Sequence, residues 1–141
     1  MKAQSRNTMT RASGFSLIEL MIVIAIIGIL TTIAMGFYAD NVIASNRTEA
    51  RGALTTAAGR LEKCKSLYGT YTNASCNVTL PFVSDTNYYT ISAAALTGTT
   101  FTLLATPVAG QPQANDTDCT TLSLTNTGVK TATGASPPDC W

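Results

Sequence analysis

The sequence predicts an α+β fold, one long N-terminal helix packed on an antiparallel sheet of about three to four strands. Three observations carry it. An apolar run from Phe15 to Phe37 continues into a segment whose apolar residues recur at helical spacing as far as Leu67. Beyond Gly69 the pattern changes to short stretches that alternate apolar and polar residues, broken by glycine and proline. The 141-residue chain is rich in Thr and Ala and only 12% charged, against a usual ~25%, which suits an exposed β surface.

The chain opens with MKAQSRNTMTRASG, which carries Lys2, Arg6 and Arg11 and no acid. The apolar run that follows has Glu19 as its only charge. Its 23 residues span roughly 35 Å as a helix, enough to cross a bilayer. The positive-inside rule then keeps the leader cytoplasmic and exports the remainder. Three readings compete for this segment. It could be a secretory signal cut near Ala34-Met35-Gly36, but the run is longer than an ordinary signal core. It could be a plain anchor, but a carboxylate at mid-membrane costs ~2.5–3.5 kcal/mol. The third reading gives Glu19 a partner. Residues from Leu17 to Ile33 are apolar on every face of the helix, so the segment is built to be surrounded, by lipid or by other helices. Gly28 and Gly36 punctuate it, and Thr31 and Thr32 between them can bond to freed carbonyls.

In the second half of the helix Val42, Leu54, Ala57, Ala58, Leu61, Cys64 and Tyr68 share one face. Asp40, Asn46, Arg47, Glu49, Arg51, Arg60, Glu62 and Lys63 supply the other side. Gly69 is the stop, with Lys63 and Lys65 in the last turn. Strands are expected over 88–93, 101–105 and 121–125. Ile91, Phe101, Leu103, Leu122 and Leu124 should face the helix, and the threonines water. Residues 69–87 and 111–118 read as irregular loops.

The chain has no histidine, which removes the serine triad, the Cys–His pair and the usual zinc sets. A net charge of +1 gives no overall basic excess toward nucleic acid. The expectation is a structural protein without enzymatic activity, metal or cofactor. Four cysteines in an exported chain imply disulfides. Of the three possible connectivities the local one, Cys64–Cys76 with Cys119–Cys140, is favoured because small exported domains staple neighbouring loops. Asp116 and Asp118 are too few for a calcium shell and read as a solvated loop. Asn46, Asn73, Asn77 and Asn115 open N-glycosylation triplets that chance produces in a Thr-rich chain. Arg47, Arg51, Arg60, Lys63 and Lys65 read as ordinary helix charge patterning, paired with Glu49 and Glu62. They form a weak footprint for DNA. Trp141 is read as a plug for its loop.

Gly14-Phe15-Ser16-Leu17-Ile18-Glu19, after a short basic leader and before an apolar helix, resembles the class III signal of type IV prepilins. The resemblance implies cleavage between Gly14 and Phe15 by a prepilin peptidase, which then N-methylates Phe15. It implies that Glu19 pairs with the N-terminal amine of a neighbouring subunit during assembly, a register device more than a source of net energy. It also implies a helix that loosens between a glycine and a proline. Gly28 matches the first, whereas Gly36 stands in place of the second. Cys119-Thr-Thr-Leu-Ser-Leu-Thr-Asn-Thr-Gly, Asp139-Cys140-Trp141 and Ser45-Asn46-Arg47-Thr48-Glu49-Ala50 resemble the PilE-type minor pilins, and the second cysteine pair fits the C-terminal disulfide loop of type IVa pilins. The domains expected are a cleaved cytoplasmic leader, 1–14; a transmembrane and filament-core helix, 15–40; and a globular domain, 41–141. The function implied is a structural subunit of a type IV pilus, most like a minor pilin, serving assembly, motility or adhesion. Its partners would be other pilins, the prepilin peptidase, the inner-membrane assembly platform and the membrane. It would sit in the bacterial inner membrane with its C-terminus periplasmic, then in the extracellular pilus. A major pilin, a type II secretion pseudopilin and a DNA-uptake pilin are the alternatives.

Overall fold

A computed structural model of the chain describes residues 15–141, so the leader, with Gly14, lies outside the described residues. The chain divides into two compact units, Met1–Tyr38 and Ala39–Trp141. Helix α1 runs Leu17–Tyr68, followed by β1 (Phe82–Val83), β2 (Tyr89–Leu96), β3 (Phe101–Pro107), a 3-10 turn at Pro112–Asn115, β4 (Thr121–Thr125), β5 (Lys130–Thr133) and a second 3-10 turn at Pro137–Cys140. The sheet is a meander of order β1-β2-β3-β4-β5, each neighbouring pair antiparallel.

The ends of α1 follow from local chemistry. Glu19 lies in the first turn, where an acid suits the helix dipole. At the other end Gly69 takes φ +74°, and its N–H donates to the Lys65 carbonyl at 2.8 Å. A left-handed residue that closes the last turn is the usual role of a C-terminal glycine.

In the Ala39–Trp141 unit Ala50, Leu54, Ala57, Leu61 and Cys64 are buried at three- and four-residue intervals. They form the helix side of the core. Ile91, Phe101, Leu103, Ala105, Leu122 and Leu124 fill it from the sheet, as alternation predicts. Each buried leucine contributes ~1.5–3 kcal/mol of transfer free energy. Every member of this cluster lies at Ala50 or later, so a fragment starting near Asn41 contains the whole core and is expected to fold alone.

Several expectations need correction. The sheet has five strands, not three to four. β1 falls inside the 69–87 stretch that reads as irregular, and at two residues it is too short to display alternation. β5 gives no sequence signal because Ala132, opposite Leu122, is its one inward apolar side chain and is too small to mark a core face. Tyr68 is 46% exposed, not part of the buried stripe. At that end Tyr71, just beyond the helix, folds back instead, its ring edge-on to Phe101 at 5.0 Å. Val42 and Ala58 are only half-buried, while Ala50, absent from the expected stripe, is fully buried. The 111–118 loop holds a 3-10 turn and two buried polar residues, Gln113 and Asp116.

Gly134 gives a direct test of the packing around the C-terminal loop. Its φ is +134°, and a Cβ added there would land on the Asp118 carbonyl. Gly134→Ala is expected to destabilise the fragment by ~2 kcal/mol or more. Thermal unfolding checks this, and an unchanged midpoint would contradict the close approach of these two segments.

Candidate functional site

Within the Met1–Tyr38 unit, the described residues from Phe15 onward present a largely apolar surface, broken by Ser16, Glu19, Thr31 and Thr32. Phe15 is 80% exposed, and Leu17, Ile18, Leu20, Met21, Ile22, Ile29, Leu30, Ile33 and Phe37 are all more than half exposed. A surface of this extent, apolar on every side, marks a segment that works inside a lipid or protein environment. The helix is long and apolar enough to cross a membrane by length and composition. Glu19 is likewise exposed, in the first turn, and Phe15 precedes the helix. Across Gly28–Gly36 the helix is unbroken. Thr32 Oγ1 donates to the Gly28 carbonyl at 2.6 Å and Thr31 Oγ1 to the Ile27 carbonyl at 2.5 Å. These hydroxyls supply back-bonding to an intact helix rather than to freed carbonyls.

The Ala39–Trp141 unit ties its C-terminal loop to α1 through a polar cluster. Arg47 donates from Nε to Asp116 Oδ2 and from its terminal nitrogen to Oδ1, both at 2.7 Å. Asp116 also accepts from Gln113 Nε2 at 2.9 Å and from the Cys119 N–H at 3.1 Å, and Gln113 reaches the Ile43 carbonyl at 3.3 Å. The Arg47 and Asp116 side chains are 12% and 1% exposed. Burial pushes the Asp116 carboxyl up, but the bonds from Arg47 and Cys119 and the guanidinium charge outweigh it and hold the group below its ordinary range. The Arg47 guanidinium is raised, chiefly by its bond to Asp116. Burial, with the nearby Asp116 charge, pushes the Tyr89 phenol up to about 12. The body of Tyr89 belongs to the apolar core.

This overturns two expectations. Asp116 is buried and bound by Arg47, not solvated; Asp118 remains exposed, 3.7 Å from Arg47. The basic side of the helix is largely engaged in folding rather than in helix charge pairs. Arg51 Nε donates to the Cys140 carbonyl at 2.9 Å, and Lys65 Nζ to the Gly98 carbonyl at 2.9 Å. Periodicity could not find these partners, which lie 33 to 89 residues away in sequence. A local signal did exist for the loop. Asp116 sits three residues before Cys119, the spacing at which a carboxylate caps a backbone N–H. Among the described residues no group of three or more metal-ligating side chains occurs.

The structure pairs Cys64 with Cys76 and Cys119 with Cys140, their Cα atoms 5.4 and 5.7 Å apart. The second bridge anchors the chain end. Trp141 lies half-buried against the core, its indole N–H donating to the Thr131 carbonyl at 2.7 Å, with Lys130 Nζ 5.1 Å above the ring. Trp141 thereby ties the chain end to the edge strand β5. Replacing Cys119 and Cys140 together by Ser is expected to cost about 3 kcal/mol for a loop of this length. Denaturant unfolding measures it, and a loss near zero would mean that the bridge does not constrain the loop.

Comparisons with known proteins agree with this geometry. The family described as "Type IV minor pilin ComP, DNA uptake sequence receptor" matches residues 37–123, and the prokaryotic N-terminal methylation motif matches residues 9–35. Two Moraxella bovis proteins, a type IV major alpha-pilin and fimbrial protein Q, are each 54% identical over 52 residues. Those residues are 37% of this chain and 31% and 32% of the two relatives, so the match spans about a third of their length. The crystal structure of the Neisseria meningitidis non-core minor pilin PilV superposes with a TM-score of 0.52 at 21% identity, over 67% of this chain and 89% of that one. That likeness concerns the fold.

Proposed function

Since the chain belongs to the type IV minor pilin family and is a structural subunit of a pilus, we propose that it reaches the filament by cleavage after Gly14, N-methylation of Phe15 and extraction of its apolar helix from the inner membrane. The observation that carries this reading is the exposed apolar surface of the Met1–Tyr38 unit, directly behind a basic leader. In the bilayer lipid covers that surface; in a filament the same helices of other subunits would. One segment thus serves two surroundings of similar polarity, which keeps transfer between them inexpensive.

Glu19 supplies direction to that exchange. An unpaired carboxylate in low dielectric is costly, and a paired one much less so. The α-amino group created on Phe15 of a neighbouring subunit is the partner proposed. A subunit docked out of register would leave both charges unmatched. The partners in this reading are other pilins, the prepilin peptidase and the inner-membrane assembly platform. The Ala39–Trp141 unit would lie on the periplasmic side before assembly and outside the cell afterwards. The chain has no catalytic role here. Fractionation tests the route. The mature chain should appear in both the inner membrane and sheared filaments, and confinement to the membrane pool would contradict it.

The family description favours a second reading, a receptor for a DNA uptake sequence. Phosphate contacts would then make binding fall steeply with salt. Titrating the full chain with duplex DNA over a salt series tests this, and binding indifferent to sequence and salt would reject it.

A further inference from the structure

We propose that the cleft between the far end of α1 and the loop stapled to it by Cys64–Cys76 binds an acidic pyranose, a six-membered sugar ring that carries a carboxylate. The cleft measures ≈ 400 Å³, within the range of small-ligand sites. One wall is the end of α1, with Arg60, Lys63, Leu67 and Tyr68. The other is the loop, with Ser75 and Asn77. The bridge joins the two walls, so little of the site has to be ordered when a ligand arrives.

The positive charge of this cleft is unanswered. Arg60 and Lys63 lie three residues apart on α1 and so share a face. Neither forms a hydrogen bond or ion pair among the described residues. None of the lining residues is acidic. Glu62, between the two cations in sequence, accepts the Tyr71 hydroxyl at 2.8 Å, and Lys65 Nζ donates to the Gly98 carbonyl. Arg60 also borders a neighbouring cleft that holds Glu49, but that carboxylate accepts the Thr86 N–H at 3.0 Å. What remains is a guanidinium, whose fork matches a carboxylate, with an ammonium beside it. The rest of the lining suits a ring better than a bare ion. Tyr68, 46% exposed, and Leu67, 65% exposed, offer an apolar surface to the C–H face of a pyranose. The Ser75 hydroxyl and the Asn77 amide can exchange hydrogen bonds with its hydroxyls. Two free cations suit one acidic ring; a duplex contact that neutralises about 6–10 phosphates needs a longer basic track.

The site extends the reading in which this unit lies outside the cell after assembly. It is tested on the purified full chain in an uncharged, sugar-free detergent, so its failure leaves that reading standing. The probes are galacturonate, its neutral parent galactose, acetate and inorganic phosphate, each titrated while ligand proton relaxation is followed by NMR. Galacturonate should bind roughly tenfold more tightly than the other three, because it alone engages both the cations and the apolar wall. Arg60→Gln combined with Lys63→Gln should abolish that preference and leave the thermal unfolding midpoint unchanged, since both side chains are exposed and unpaired. Tyr68→Ala should weaken galacturonate several-fold and leave acetate unchanged, a split that a bare charge patch would not give. If acetate or phosphate binds as tightly as galacturonate, the site is only a charge patch and the proposal is overturned; equal binding of galactose overturns it too. Salt-sensitive binding of duplex DNA through Arg60 and Lys63, with no binding of galacturonate, would overturn it in favour of the receptor reading.

Discussion

Glu19→Gln is expected to lower the amount of this chain in sheared pili at least tenfold while leaving its level in the inner membrane unchanged. The substitution keeps the shape of the side chain and removes its charge. Insertion should improve slightly, because a carboxylate inside the bilayer costs ~2.5–3.5 kcal/mol at the helix centre. Assembly should suffer, because the neighbour's Phe15 amine loses its counter-charge, and removing one partner of a buried pair costs ~3–5 kcal/mol. A tenfold loss needs only about 1.4 kcal/mol, so the effect should survive considerable screening. Glu19 lies in the Met1–Tyr38 unit and the folded core in the other, so unfolding of the fragment from Asn41 gives no compensating explanation. Quantifying the chain in both fractions decides the matter; equal incorporation of the Gln variant would make Glu19 an incidental anchor residue.

Arg47→Ala should be the most damaging single change in the folded unit. It leaves Asp116 buried with two bonds from Gln113 and Cys119 and no counter-charge. The expected loss is ~3–5 kcal/mol, on the order of 15 °C in Tm for a unit of this size. Replacing Arg47 and Asp116 together by apolar residues of similar volume should cost much less, since no charge is then stranded. The same cluster sets the acid limit. The Asp116 carboxyl titrates below its ordinary value when folded, so its contribution is fully present above that value and is lost as pH falls through the lower folded one. Stability should hold near neutrality and decline below about pH 4. In Arg47→Ala that acid decline should flatten or reverse, because burial alone then favours the neutral acid.

How much of the molecule is legible in the sequence depends on distance along the chain. The apolar helix, its end at Gly69 and the inward faces of β2, β3 and β4 are local patterns, and each is visible in spacing alone. The leader motif is local too. The Arg47–Asp116 pair joins residues 69 positions apart, and no periodicity announces it. The same holds for Arg51 with the Cys140 carbonyl. Arg47 and Arg51, which look like part of a solvated helix face, are in fact bound by the C-terminal segment. β1 and β5 escape for a different reason: their pairing with long neighbours, not their own residues, makes them strands. Asp116 is deceptive because a carboxylate in a Thr-rich loop looks solvated until the helix that covers it is placed.

The N-terminal mass of the chain recovered from sheared pili decides whether the proposed route to the filament is correct. The expected mature form begins at Phe15, lacks the fourteen leader residues and carries one methyl group on its amine. A chain in that fraction still beginning at Met1, or one beginning near Phe37 after an ordinary signal cleavage, would contradict it, because either form lacks the free Phe15 terminus that Glu19 is proposed to meet.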